Sequence, residues 1–186
     1  MRQVTTRLLI CAALCLLTSA LPGAIAQDSK EEGSLLKAAF IYNFAKFTRW
    51  PDSIWRGKNA PLTFCSVGDD KLVDELERLS GKTIKGRPVT IRPHADSLIP
   101  GSCQVLYIAV SMQGHYDEII ESLRGEPVLT VSELPQFAHS GGIVELYRKD
   151  GRVRFIINLR VAREAGLELS SRLLNLARVV GHEDKQ

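Results

Sequence analysis

The segment QVLYIAV at residues 104–110 decides the fold class. It is continuously apolar after Gln104, and at seven residues it is too short for a typical helix. A strand of this composition is buried on both faces, as in a parallel sheet that is covered by helices on either side. The segment therefore predicts a central strand of an α/β protein.

Further apolar segments and helical periods alternate around this strand. Strands are predicted at 62–67, 88–91 and 127–131, with a helix over 72–79, a helix over 116–123 and a short helix around 132–137. Alternation of this kind is typical of a parallel sheet with crossover helices.

The last third of the chain predicts a hairpin and a final helix. Asp150-Gly151 separates two apolar stretches, 143–147 and 152–157, which is a strong signal for a two-residue hairpin turn. Ser170 or Ser171 is expected to cap a helix that carries Leu173, Leu176, Ala177 and Val180 on one face and ends at Gly181. The expected architecture is a single three-layer α/β/α sandwich over residues 35–181, mostly parallel, with an antiparallel hairpin at its C-terminal edge.

An aromatic stripe opens this domain. Leu36, Phe40, Phe44 and Phe47 recur at spacings of four, four and three, which places them on one helix face, and Trp50-Pro51 ends the helix. Such a stripe is more often part of the core than a binding groove, and the core interpretation is favoured here.

The N-terminus has the three parts of a secretory signal. Arg2 and Arg7 are cationic, residues 8–17 are an unbroken apolar run, and Ala24-Ile25-Ala26 is a cleavage pattern. A retained anchor would need about 20 apolar residues, and a lipoprotein would need a small residue directly before its lipidated cysteine. We therefore expect a cleaved signal peptide at 1–26, a flexible segment at 27–34 and a polar tail at 182–186.

Cleavage would change both the charge and the cysteine content. Loss of two arginines lowers the formal net charge from +3 to +1, and no basic cluster is dense enough to indicate nucleic-acid binding. Two of the four cysteines would remain, Cys65 and Cys103. In an oxidising compartment such a pair most often forms a disulfide. The histidines lack metal-ligand spacing, so neither a metal nor another cofactor is expected.

Candidate ligand or partner residues follow the predicted strands, because open parallel sheets bind ligands beyond their carboxyl ends. They are Asp69, Asp70, Ser111, Asn158, Ser171 and Arg172. The helix start at Ser171 and Arg172 would suit an anion. Each has a simpler explanation as a helix cap or a turn residue. Catalytic serine and phosphate-loop motifs do not occur in the sequence, so an enzyme is not expected.

Several blocks of the sequence resemble one family of periplasmic proteins. They are KAAFIYNFAKF at 37–47 with Trp50-Pro51, GKTIKGRPV at 81–89, Cys103 before its strand, PVLTVS at 127–132, GGI at 141–143, FIIN at 155–158 and LSSRLLNLA at 169–177. The chain is similar to the YfiR family, also described as DUF4154, from about residue 35 to residue 180.

The resemblance implies a dimeric α/β/α sandwich without known catalytic activity. Its best-described members repress an inner-membrane diguanylate cyclase by holding the periplasmic sensory domain, and an outer-membrane lipoprotein releases them. Cys65 and Cys103 match one family disulfide, whereas residues 138–155 lack the second pair found in some members. A periplasmic small-ligand module, feeding a membrane sensor kinase or a transporter, is the alternative function.

Overall fold

The computed structural model describes residues 24–68, 71–93 and 101–181. Most of the predicted signal peptide, the predicted tail at 182–186 and the candidates Asp69 and Asp70 lie outside these ranges. The described residues from Ser34 onward belong to one compact unit.

Five helices and ten strands make up the described chain. The helices are α1 (Ala24–Phe47), α2 (Lys71–Glu77), α3 (Tyr116–Ser122), α4 (Leu159–Glu164) and α5 (Ser171–Leu174). The strands are β1 (Thr48–Arg49), β2 (Leu62–Val67), β3 (Thr83–Ile84), β4 (Arg87–Arg92), β5 (Val105–Ile108), β6 (Leu129–Ser132), β7 (Val144–Lys149), β8 (Arg152–Asn158), β9 (Glu168–Leu169) and β10 (Arg178–Val180). Short 3-10 turns lie after β1, at Asp52–Ile54, and after β5, at Val110–Met112.

Eight strands form one sheet in the order β10-β8-β7-β6-β5-β2-β4-β3, while β1 and β9 pair separately. The central strands β4, β2, β5, β6 and β7 are parallel to one another. Pairing is antiparallel between β7 and β8 and between β3 and β4. The predicted α/β class with a mostly parallel sheet is therefore confirmed.

Helices cover both faces of this sheet. Phe64, Tyr107 and Val131 point to one face, where they pack in a core with residues of α1 and α2. Leu106 and Ile108 point to the other face and pack with residues of α3 and of the turn after β6. Alternate residues of one strand thus enter different cores, which explains the continuous apolar character of 104–110.

The C-terminal helix prediction was wrong beyond its first turn. Helix α5 ends at Leu174, and Arg178–Val180 is strand β10, which pairs in parallel with β8 opposite Ile156 to Asn158. The hairpin of β7 and β8 is therefore not at the sheet edge, because β10 covers the outer side of β8. The predicted short helix around 132–137 is also wrong, since after Ser132 the chain forms turns.

Helix α1 differs from its prediction in length and orientation. It begins at Ala24, well before the aromatic stripe, and the flexibility of residues 27–34 stays a prediction. Its buried face carries Ala38, Ile41, Phe44 and Ala45, whereas Leu36 is 48% exposed. The aromatic stripe is thus a core feature from Phe40 onward, and Leu36 is not part of it.

Each of two hairpin turns contains two successive residues with positive φ. Asp150 and Gly151 have φ of 51° and 71°, which is the conformation that a two-residue hairpin requires. Lys85 and Gly86, with φ of 51° and 78°, turn β3 into β4 in the same way. The first hairpin was predicted; the second falls within the GKTIKGRPV block, where only the strand at 88–91 was predicted.

Gly142 leaves room for a buried aromatic ring. A Cβ at this position would lie 2.2 Å from Cε1 of Phe137, which is fully buried in the core between α3 and the sheet. We expect Gly142→Ala to lower the free energy of unfolding by about 1–3 kcal/mol, because the ring must move within a packed core. Urea denaturation measures this loss. Gly114→Ala is the control, since its Cβ meets nothing within 4 Å and should change stability little; equal losses would contradict the steric explanation.

Candidate functional site

Ser111 lies beyond the carboxyl end of β5, the position that the sequence predicts. It is in the 3-10 turn Val110–Met112, its side chain is exposed, and it adjoins Gly68 at the end of β2. A Cβ on Gly68 would lie 2.6 Å from the Ser111 Oγ, so the glycine allows the two turns to approach each other. Gly68 also has a φ of 78°, which favours glycine.

Asn158 is a buried structural residue. Its Nδ2 donates to the Ala138 carbonyl at 2.8 Å, and its Oδ1 accepts from the Val161 amide at 3.1 Å as the N-cap of α4. Strand β8 is separated from β5 by β6 and β7, so Asn158 lies on the order of 14 Å from Ser111's strand. These bonds give Asn158 the role of a turn and cap residue, and its ligand role stays a prediction.

Ser171 and Arg172 occupy the exposed first turn of α5, a helix of four residues. The Ser170 side chain caps it by accepting from the Leu173 amide, and the Ser170 amide donates to the Phe47 carbonyl at 2.9 Å. This turn thus belongs with the end of α1 and the small β1–β9 sheet. The predicted candidates that are described do not form one site.

Two of the sequence blocks meet where α1 ends against the β3–β4 hairpin. The Tyr42 hydroxyl donates to the Thr83 carbonyl at 3.0 Å, and the Lys85 Nζ donates to the Thr48 carbonyl at 2.6 Å. Burial, with the nearby positive charge of Arg49, lowers the pKa of Lys85. The Nζ atoms of Lys46 and Lys82 lie 5.7 and 5.9 Å from the centre of the Tyr42 ring. This junction fixes the hairpin to the helix and leaves an aromatic ring between two lysines at the surface.

Arg87 has a comparable structural role on the neighbouring loop. Its guanidinium lies 3.8 Å from the centre of the Trp55 ring and donates to the carbonyls of Gly57, Lys58 and Ala60. One planar side chain thus holds the loop that connects the 3-10 turn to β2. These contacts give Tyr42, Lys85 and Arg87 structural roles within their sequence blocks.

Two cavities lie outside the predicted site. A cleft of about 130 Å³ separates α3 from α4 and is lined in part by Arg124, Glu126, Arg160 and Glu164. A second cavity, of about 280 Å³, lies between α1, the turn after β6 and strand β7. Lys37 and Glu133 form an ion pair on its wall. Sequence reasoning missed both, since each is bounded by residues that are far apart in the chain.

Cys65 and Cys103 form the predicted disulfide. Their Cα atoms are 5.8 Å apart, within the normal range for such a bond, and both residues are buried. The bond joins β2 to the residue that precedes β5 and encloses the connection through α2, β3 and β4.

Within the described ranges, no three histidine, cysteine or acidic side chains are grouped as metal ligands. Among the same residues, no helix combines the length and the apolar character needed to cross a membrane.

A comparison with protein-family models matches residues 34–178 to the YfiR/HmsC-like family, DUF4154. The match covers most of the chain and nearly all of the described sheet, including the α1 block, the β3–β4 hairpin and the disulfide. The chain belongs to the YfiR/HmsC-like family.

Proposed function

We propose that this protein is a periplasmic regulator that binds the periplasmic sensory domain of an inner-membrane diguanylate cyclase and represses it. The observation that carries the proposal is membership of the YfiR/HmsC-like family over residues 34–178. The predicted signal peptide supports export, and a protein outside the inner membrane can lower cytoplasmic cyclic di-GMP only through a partner that spans the membrane.

The roles of Asn158, a candidate residue, and of Ser170, the neighbour of two others, favour binding over catalysis. Asn158 holds the turn before β7 and caps α4, and Ser170 caps α5. These polar groups maintain the fold. The proposed activity is therefore regulation by contact, with a homodimer as the working form and an outer-membrane lipoprotein as a releasing partner.

Deletion of the gene should raise cellular cyclic di-GMP, measured by mass spectrometry of extracts, and a plasmid copy should restore the lower level. The matched control is a copy that lacks residues 1–26, which should be retained in the cytoplasm and fail to complement. An unchanged level in the deletion strain would contradict the proposal, as would full complementation by the copy without residues 1–26.

A small-ligand module is the second candidate function, and the cleft between α3 and α4 favours it. The cleft combines an apolar floor at Leu123 and Val128 with the guanidinium groups of Arg124 and Arg160. Glu126 and Glu164 line the same cleft, and Arg160 pairs with Glu164, so a small zwitterionic metabolite would suit this wall. Thermal-shift assays with periplasmic metabolites should show a stabilisation that Arg160→Ala abolishes and Arg172→Ala, outside the cleft, retains. A flat response of the wild type would reject this function.

A further inference from the structure

Strand β7 extends beyond its neighbour β6. The last residue of β6, Ser132, pairs with Glu145, whereas β7 continues to Lys149. Four residues therefore project past the end of β6, a length of about 13 Å. On their other side these residues remain paired with β8 up to the turn at Asp150-Gly151. The projecting hairpin thus has an open edge on the β6 side.

The hydrogen-bond ladder between β7 and β8 determines which backbone groups of β7 point toward the open edge. The Asn158 amide donates to the Ile143 carbonyl at 2.9 Å, so the pair 143–158 is a hydrogen-bonded pair of the antiparallel ladder. Alternation makes Arg148 and Val153 a non-hydrogen-bonded pair, in which the backbone N–H and C=O of Arg148 point away from β8. Among the described residues, no hydrogen bond engages these two groups. They are available to an additional strand.

Space for such a strand is present beside the edge. The cavity of about 280 Å³ is lined by residues 145–148 of β7 and by Glu133 and Pro135 of the turn that leaves β6. The chain therefore turns away from the line of β6 and leaves a recess in its continuation, where a neighbouring strand would lie.

Charge indicates which kind of strand would fit. Lys149 lies directly opposite Arg152, and Arg154 lies opposite Tyr147, so three cations share one face of the projecting hairpin. All three are exposed, and within the described part of the chain none forms an ion pair. Like charges placed directly opposite each other destabilise a hairpin. An acidic segment alongside would offset that repulsion. The two carboxylates that line the recess are already engaged, since Glu133 pairs with Lys37 and Glu145 accepts from the Ala138 amide.

We infer that the open edge of β7, residues 146–149, is a docking site for an extended acidic segment of a partner protein, which adds as a strand in the continuation of β6. The backbone of Arg148 would pair with the segment, and Lys149, Arg152 and Arg154 would attract its carboxylates. A second copy of this chain fits less well, because edge-to-edge pairing would bring the two sets of cations together. An anionic lipid surface would meet the cations but leave the backbone groups of Arg148 unpaired.

The test uses the full chain after export, with synthetic octapeptides in which glutamate alternates with threonine or valine, and lysine-containing peptides of the same pattern. We expect the acidic peptides to bind, to lose affinity as salt is raised, and to slow amide exchange across residues 146–149 about tenfold or more. Absence of protection there with every acidic peptide, or equal binding of the lysine peptides, would overturn the inference.

Two substitutions at one position separate backbone pairing from charge. Arg148→Pro removes the outward N–H, which is not used in the β7–β8 ladder, and we expect it to weaken binding about tenfold or more. Arg148→Gln retains the N–H and should weaken binding less. Circular dichroism checks that both variants are folded; if Arg148→Pro is not, the exchange experiment on wild type decides alone.

Other occupants give different results. Binding to vesicles of phosphatidylglycerol that persists in Arg148→Pro, without binding of acidic peptides, would replace the partner segment with a lipid surface. A concentration-dependent dimer that Arg148→Pro dissociates would replace it with a second copy. Because none of these measurements depends on cyclic di-GMP, their failure is distinguishable from failure of the proposed function.

Discussion

Replacement of Phe44 by alanine should lower the free energy of unfolding by about 3–5 kcal/mol, the usual cost of removing a buried phenylalanine. The Phe44 residue is 1% exposed in the core between α1 and the sheet. Its ring centre lies 4.9 Å from that of Phe155 in β8 and 6.0 Å from that of Phe40. The substitution therefore leaves a cavity at the contact between α1 and the sheet. Urea denaturation at equilibrium measures the loss as a lower midpoint at unchanged slope.

Leu36→Ala is the matched control on the same helix. The spacing of apolar residues places Leu36 on the same helix face as Phe44, but Leu36 is 48% exposed. Its substitution should change the free energy of unfolding by less than about 0.5 kcal/mol, as is usual for surface positions. Similar losses for the two variants would mean that the aromatic stripe packs as a whole and that Leu36 belongs to the core.

The difference between Leu36 and Phe44 shows how far periodicity can predict a fold. Spacings of four, four and three assign four residues to one helix face. They do not indicate how far along the helix the core beneath it extends, because that depends on strands such as β8, more than 100 residues later in the chain. Local spacing thus predicted the helix and its general face, and tertiary packing decided which turns are buried.

The short apolar segments were better predictors. Residues 62–67 and 104–110 each supply a strand that is buried on both faces, and such a strand needs no information from elsewhere to be recognised. Asp150-Gly151 was equally reliable, since positive φ at two successive residues restricts the turn to a few residue types.

The prediction for the C-terminal segment was wrong because its structure depends on another part of the chain. Residues 178–180 continue a helical period, yet they lie along the open side of β8 and complete its hydrogen bonds as β10. Whether a segment of three residues forms a strand depends on the sheet edge that lies beside it. The open edge of β7 was equally unpredictable, since it depends on the register of β6 against β7 and on where β6 stops.

Removal of the Cys65–Cys103 disulfide should lower the free energy of unfolding by about 3–4 kcal/mol. The bond closes a loop with a sequence separation of 38, and the estimate is the loss of loop-closure entropy in the unfolded chain. The double variant Cys65→Ala/Cys103→Ala is the clean test, because it leaves no buried free thiol. Chemical denaturation of wild type, with and without reductant, gives a second measurement of the same quantity.

The burial of both cysteines, 2% exposed for Cys65 and 5% for Cys103, favours a structural bond over a redox switch. A thiol or disulfide that exchanges readily must be accessible to its redox partner. These sulfurs lie in the core between α3 and the sheet, so reduction requires the region around β2 and β5 to open first. We therefore expect reduction in native buffer to be slow and to accelerate in urea together with unfolding. If the double variant folds and still complements the gene deletion, the bond is structural. If it folds but no longer represses the cyclase, the bond regulates.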